Sequence, residues 1–157
     1  MCHSLVGSEM CIRDRQMLAE EKIRHRICSP SSLAMAVSKI KGLTDIEANT
    51  VWKKLITLCY DLNINAYGSW PKAIYAASTF GVLGGIEAHA DLESAEKCLE
   101  SGQPVVCSID YAKGKLRGAP LASTKGHLVT LIGIEDEQIL VMDPAAPEKS
   151  SIAKELI

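Results

Sequence analysis

Apolar residues recur at three- and four-residue steps through the first half of the chain and alternate with polar ones through the second. In segment 30–40, Leu33, Val37 and Ile40 share one helical face. This helix opens on Pro30, whose missing N–H costs nothing in a first turn, and ends at Lys41-Gly42. Val51, Leu55 and Leu58 mark a second helix over 45–60 and its core-facing side. Ser69-Trp70-Pro71 opens a third that reaches about Phe80, with Ser69 as its cap and Gly81 as its stop. Asp91 caps a fourth, Glu93 and Glu96 lie near its positive end, and Gly102 closes it. Residues 61–68 read as loop, and 83–88 as a short strand or an extended loop.

Beyond Gly102 the period changes. Pro104-Val105-Val106-Cys107-Ser108-Ile109-Asp110-Tyr111 is the first clear strand, followed by a Gly- and Lys-containing loop over 112–124. A second strand covers 127–134, a turn falls at Glu135-Asp136-Glu137, and a third strand covers 138–142. Helices first and an antiparallel meander afterwards make an α+β fold, not a series of βαβ units. The end, 149–157, is polar and weakly helical, without a closing strand.

A length of 157 residues, 47% apolar and 23% charged with net charge −2, predicts one soluble domain with a real core. That balance gives no footprint for nucleic acid or an anionic membrane surface. No apolar run approaches the ~18 residues of a membrane span. Residues 1–15 hold Glu9, Arg13, Asp14 and Arg15 and no apolar h-region, so they are not a secretory signal. From Ser4 to Arg15 they resemble translated sequencing-adapter sequence. They read as a non-native leader, with 16–157 as the domain, entered in mid-gene and truncated at its end. The six cysteines show no metal-like C-x-x-C spacing. Cys59, Cys98 and Cys107 lie in apolar segments, where free thiols are common, and a reducing, cytoplasmic setting is expected.

Three residues carry candidate chemistry. Cys28 stands just before the first helix, where unpaired N–H groups and the dipole favour a thiolate. His127 opens an apolar strand, where an ionisable ring is costly unless partnered. On that strand His127, Val129 and Leu131 point one way and Leu128, Thr130 and Ile132 the other. Asp143 ends the next strand, and the tight turn between the two strands brings it within reach of His127. Thiol, imidazole and carboxylate together are the parts of a cysteine nucleophile site. Each residue also has a plain reading: a small residue under a helix, a satisfied strand-end histidine, an Asp-Pro turn. His25 is a rival base, disfavoured because it is so near Cys28 in sequence. Trp70 reads as core or surface, and Lys113, Lys115 and Arg117 as a solvated basic loop.

Taken together, Ile27-Cys28-Ser29-Pro30-Ser31-Ser32-Leu33-Ala34-Met35, Gly118-Ala119-Pro120, Gly126-His127-Leu128 and Val141-Met142-Asp143-Pro144 resemble the C39-like family of papain-type cysteine peptidases, in its Cys-Ser-Pro branch. The resemblance covers nearly all of 16–146. It implies a papain-like fold, a helical half whose nucleophile helix packs on a C-terminal antiparallel sheet. It implies Cys28 as nucleophile, His127 as general base and acid, and Asp143 as the group that orients the imidazole. It also implies Gln16 as an oxyanion donor beside the Cys28 backbone N–H. Ser29 stands where many relatives carry Gly. The expected activity is hydrolysis of a peptide or protein substrate through a thioester, with no metal or organic cofactor implied. Two alternatives stand beside it: an amidase or acyltransferase on a non-peptide substrate, and a non-catalytic peptide-binding domain.

Overall fold

Cys28, not Pro30, begins the first long helix. The computed structural model describes residues 19–88, 91–135 and 138–146, with the backbone of 152–154. A single turn, α1 (Glu21–Arg24), precedes α2 (Cys28–Lys41). Ile27 occupies the N-cap position of α2, and its carbonyl accepts from Ser31 N–H at 3.1 Å. Pro30 thus sits at the third helical position, where it again leaves no N–H without a partner. The helix ends on Gly42 in the left-handed conformation, as expected.

The one-sided face expected for this helix is replaced by burial all round: every residue from Ser29 to Ser38 is buried, while Ile40 is 52% exposed. Small residues make this possible, because Ser29, Ser31, Ser32, Ala34 and Ala36 let neighbours approach closely. Two of the buried hydroxyls are bonded: Trp52 Nε1 donates to Ser31 Oγ at 2.9 Å, and Ser32 Oγ donates to the Leu128 carbonyl at 2.8 Å.

Helix α3 (Asp45–Cys59) has a Thr44–Glu47 capping box that the sequence reading did not single out. Val51 and Leu55 are buried as expected, joined by Trp52 and Cys59, while Leu58 is half-buried. Helix α4 (Trp70–Ser78) has Ser69 at its N-cap position, but the hydroxyl makes no capping bond. The helix stops before Gly81, and the segment 82–87 after it joins neither a helix nor a strand. In α5 (Leu92–Glu100) the expected cap is present, with Asp91 accepting from Ser94 N–H at 2.9 Å.

The sheet is antiparallel, in the order β1 (Val105–Tyr111), β2 (Thr124–Glu135), β3 (Gln138–Met142), β4 (Ile152–Lys154). Strand β4 overturns the weakly helical end: it pairs with β3 through Leu140↔Ala153. Three residues are too few to display a period, so the pairing is a tertiary effect. The sheet divides two cores. Val129, Leu131 and Ile139 pack on Leu99 of α5, whereas Met142 and Ile132 join the core built on Ile27, Met35, Val37, Trp52 and Leu55. The fold is therefore α+β, with α2 between α3 and α4 and one face of the sheet, and α5 on the other face. No helix among the described residues is long and apolar enough to cross a membrane.

Candidate active site

The end of β3 explains where α2 begins. Strand β3 pairs with β2 only as far as Thr130↔Met142. A strand residue aims its N–H and its carbonyl at the same edge. Leu128 lies opposite Ser108 of β1 but turns both groups to the other side, where β3 has already ended. The first turn of α2 fills that gap. The Leu128 N–H donates to the Cys28 sulfur, and the Leu128 carbonyl accepts from Ser32 Oγ. Thr130 Oγ1 completes the join by donating to the Ser32 carbonyl at 2.7 Å. Helix start and strand are thus fixed to each other around the thiol.

Extending the β2–β3 pairing by one step places Asp143 opposite Val129, so His127 is its diagonal neighbour on the same face. His127 Nε2 lies 2.6 Å from Asp143 Oδ1, and both side chains are close to fully buried. Asp143 Oδ1 also accepts from Ala145 N–H at 2.8 Å, and the Asp143 carbonyl accepts from Ala146 N–H. The turn role and the imidazole-orienting contact therefore belong to one carboxylate. With Nε2 engaged, Nδ1 is the ring nitrogen left for the hydrogen bond between His127 and Cys28.

Gly126 helps to aim the ring. Its φ is +134°, a conformation L side chains rarely adopt, and it lies in a β-bulge beside Ile109/Asp110. Space is not the constraint, since an added Cβ would meet Ser108 Oγ only at 3.9 Å.

The electrostatics follow from this geometry. Burial alone would push the Cys28 thiol up. The His127 hydrogen bond and charge, with the N–H groups of Leu128 and Ser29, outweigh that and hold it below the ordinary thiol range. Burial alone would likewise push His127 down. The hydrogen bonds and charges of Asp143 and Cys28 prevail and raise it to about 9. Cys107 has no such partner and Cys59 only the charge of Lys72, so burial prevails and pushes both thiols up to about 11. The two shifts reinforce each other and favour the thiolate–imidazolium form, the state in which a cysteine is nucleophilic.

Cys28 and His127 open into a pocket of ≈ 340 Å³ whose other walls are His25, Pro120, Leu121, Thr124, Gly126 and Ala145. The β1–β2 loop that supplies Leu121 is tied down by Tyr111, whose hydroxyl donates to the Leu121 carbonyl at 3.0 Å. Tyr111 feels the same carboxylate, since burial and then the charge of Asp143 raise its pKa. The sequence reading did not single out Leu121, Thr124, Ala145 or Tyr111, because only the closed sheet brings them to the thiol. His25 reaches the pocket wall, yet the groups that lower the Cys28 thiol do not include it. Trp70 is partly exposed on α4, and Lys113 and Lys115 are exposed, as expected of a solvated loop. Gln16 lies outside the described residues. Among the described residues no cluster of His, Cys, Asp or Glu could hold a metal ion.

No curated protein and no solved structure gives a significant match to this sequence. A family model does, over residues 14–156, a span that includes Cys28, His127 and Asp143 and fits the α+β arrangement of a papain-like domain. The chain belongs to the Peptidase_C39 like family.

Proposed function

We propose that this protein is a cysteine peptidase that hydrolyses a peptide bond through Cys28, His127 and Asp143. The observation that carries the reading is a single arrangement. A thiol held below its ordinary range bonds a buried imidazole, a carboxylate orients that imidazole at 2.6 Å, and a pocket opens on both reacting groups. Family membership supports a cysteine-peptidase type of function.

In this mechanism the Cys28 thiolate attacks the scissile carbonyl carbon, and the C=O electron pair moves onto oxygen. The Cys28 backbone N–H, at the start of α2, stabilises that oxyanion, with the Gln16 side chain as a second donor. His127, as imidazolium, gives its proton to the leaving amine as the C–N bond breaks, leaving an acyl thioester on Cys28. Neutral His127 then takes a proton from water, which attacks the thioester and releases the acid. Asp143 holds the ring with Nε2 turned away from the sulfur throughout, so Nδ1 handles the proton at each step.

The test is the pH dependence of iodoacetamide labelling at each cysteine, read by peptide mass spectrometry, together with cleavage of a fluorogenic peptide library. Cys28 should label rapidly at pH ~6, well below the ~8.5 of a free thiol, and lose that advantage in His127→Ala. Cys59 and Cys107 serve as slow internal references. Peptide cleavage should vanish in Cys28→Ala. Cleavage that persists in that variant, or wild-type Cys28 labelling only near pH ~8.5, would sink the reading.

A further inference from the structure

Two residues before the thiol, Arg26 is held by an unusual set of partners. Its guanidinium donates to the Asn65 carbonyl and, at 3.2 Å, to Asn65 Oδ1, and its Cζ lies 5.8 Å from the centre of the Tyr67 ring. Asn65 is the one described residue other than glycine with positive φ, at 47°. Its conformation is fixed from several sides. Tyr60 OH donates to Asn65 Oδ1 at 2.8 Å, and Asp61 and Ala66 exchange backbone bonds across the turn. Tyr60 itself packs against Tyr67, with ring centres 5.0 Å apart and planes tilted by 47°, and accepts from Lys72 Nζ through its carbonyl. A non-glycine residue held in a sparsely populated conformation persists only where its surroundings over-determine it, and such sites gather near functional centres.

The clamp's position in the chain gives it an object. Arg26 is exposed, and exposed cations contribute little to stability. Ile27, the next residue, is fully buried, and its carbonyl accepts the first bond of α2. His25, the residue before, lines the pocket with Cys28. The segment from His25 to Cys28 is therefore pinned outward at Arg26 and inward at Ile27, directly ahead of the sulfur. A thiolate–imidazolium pair depends on a short directional contact, so a small drift of this segment would lengthen it.

We propose that Arg26 is a positioning residue for the nucleophile: seated between Asn65 and the Tyr67 ring, it fixes the backbone that delivers Cys28 to His127 and His25 to the pocket wall. This rests on the peptidase reading of the site, although its readout needs no substrate. The experiment uses the full chain and compares wild type, Arg26→Ala and Arg26→Lys by the pH profile of Cys28 alkylation with iodoacetamide and by thermal melting. Arg26→Ala should slow Cys28 labelling at pH ~6 about tenfold, the effect of a one-unit rise in thiol pKa. Labelling of Cys59 and Cys107 should stay unchanged. Arg26→Lys keeps a cation and one donor and should recover part of the rate; it also gives the same reading if the alanine variant does not fold. A low wild-type midpoint that both folded variants retain, with or without a drop in melting temperature, would overturn the clamp while leaving the peptidase reading intact. A wild-type midpoint in the ordinary thiol range would overturn both.

Discussion

Replacing Asp143 isolates the carboxylate on which His127 depends. Raising the imidazole from 6.5 to about 9 corresponds to about 3 kcal/mol in favour of its protonated form, net of a burial that works against it. Asp143 is the larger of the two partners that raise it, ahead of Cys28. If it supplies even half of that energy, Asp143→Ala should lower the His127 midpoint by at least about one pH unit. Asp143→Asn keeps an oxygen for Ala145 N–H and for the ring and should fall between the two. The assay is NMR titration of the histidine Cε1–H resonances, with His127 assigned by its disappearance in His127→Ala. The sign also fixes a stability profile. A folded-state pKa raised above the unfolded value contributes stability that is fully present below pH ~6.5 and is lost as pH rises through about 9. Urea unfolding should therefore show Asp143→Ala costing more at pH 6 than at pH 10, by up to about 3 kcal/mol. A wild-type midpoint near 6.5, or one that Asp143→Ala leaves in place, would refute the pairing as the cause of the shift.

Three further outcomes follow from the join between helix and strand and from its supports. Ser32→Ala and Thr130→Val each remove one of the two reciprocal bonds, and each should cost about 1–2 kcal/mol in urea unfolding. Their double mutant should cost less than the sum, because each loss already loosens the other bond; strict additivity would contradict the reciprocal arrangement. Trp52→Phe leaves Ser31 Oγ without its indole donor in the core and should destabilise by about 1–3 kcal/mol while sparing Cys28 labelling at pH 6. Thr44→Ala breaks the capping box of α3 at the surface and should cost about 1 kcal/mol, seen as a lower melting temperature with no change in labelling.

The sequence made the residues of the site legible, and the turn between β2 and β3 made their proximity so. A tight antiparallel connection fixes which end of one strand meets which end of the next, so His127 and Asp143 could be paired by counting. The four longer helices and the first three strands were legible because each is long enough to display its period, whereas the single turn α1 is not. The errors share a different origin. Ile40 fits a helical stripe but is exposed, because α2 is buried by contact on several sides along Ser29–Ser38 and not by one amphipathic face. The short β4 strand has too few residues to alternate and exists only through its pairing with β3.

The geometry of the thiol was the least legible feature, for a related reason. The helix N-terminus predicted a lowered pKa, but the groups that lower it most come from elsewhere in the chain. They are the ring of His127 and the N–H of Leu128, which is turned to the edge β3 leaves vacant beyond Met142. The length of β3 therefore bears on the reactivity of Cys28. One more pair of ladder bonds would bring β3 alongside Leu128 and compete with Cys28 and Ser32 for its N–H and carbonyl. The Asp143-Pro144 turn prevents this. Proline cannot donate to a ladder, and the Asp143 carboxylate binds Ala145 N–H instead of leaving it for a strand. The residue that orients the imidazole thus also ends the strand, and by ending it keeps open the place where the thiol is held.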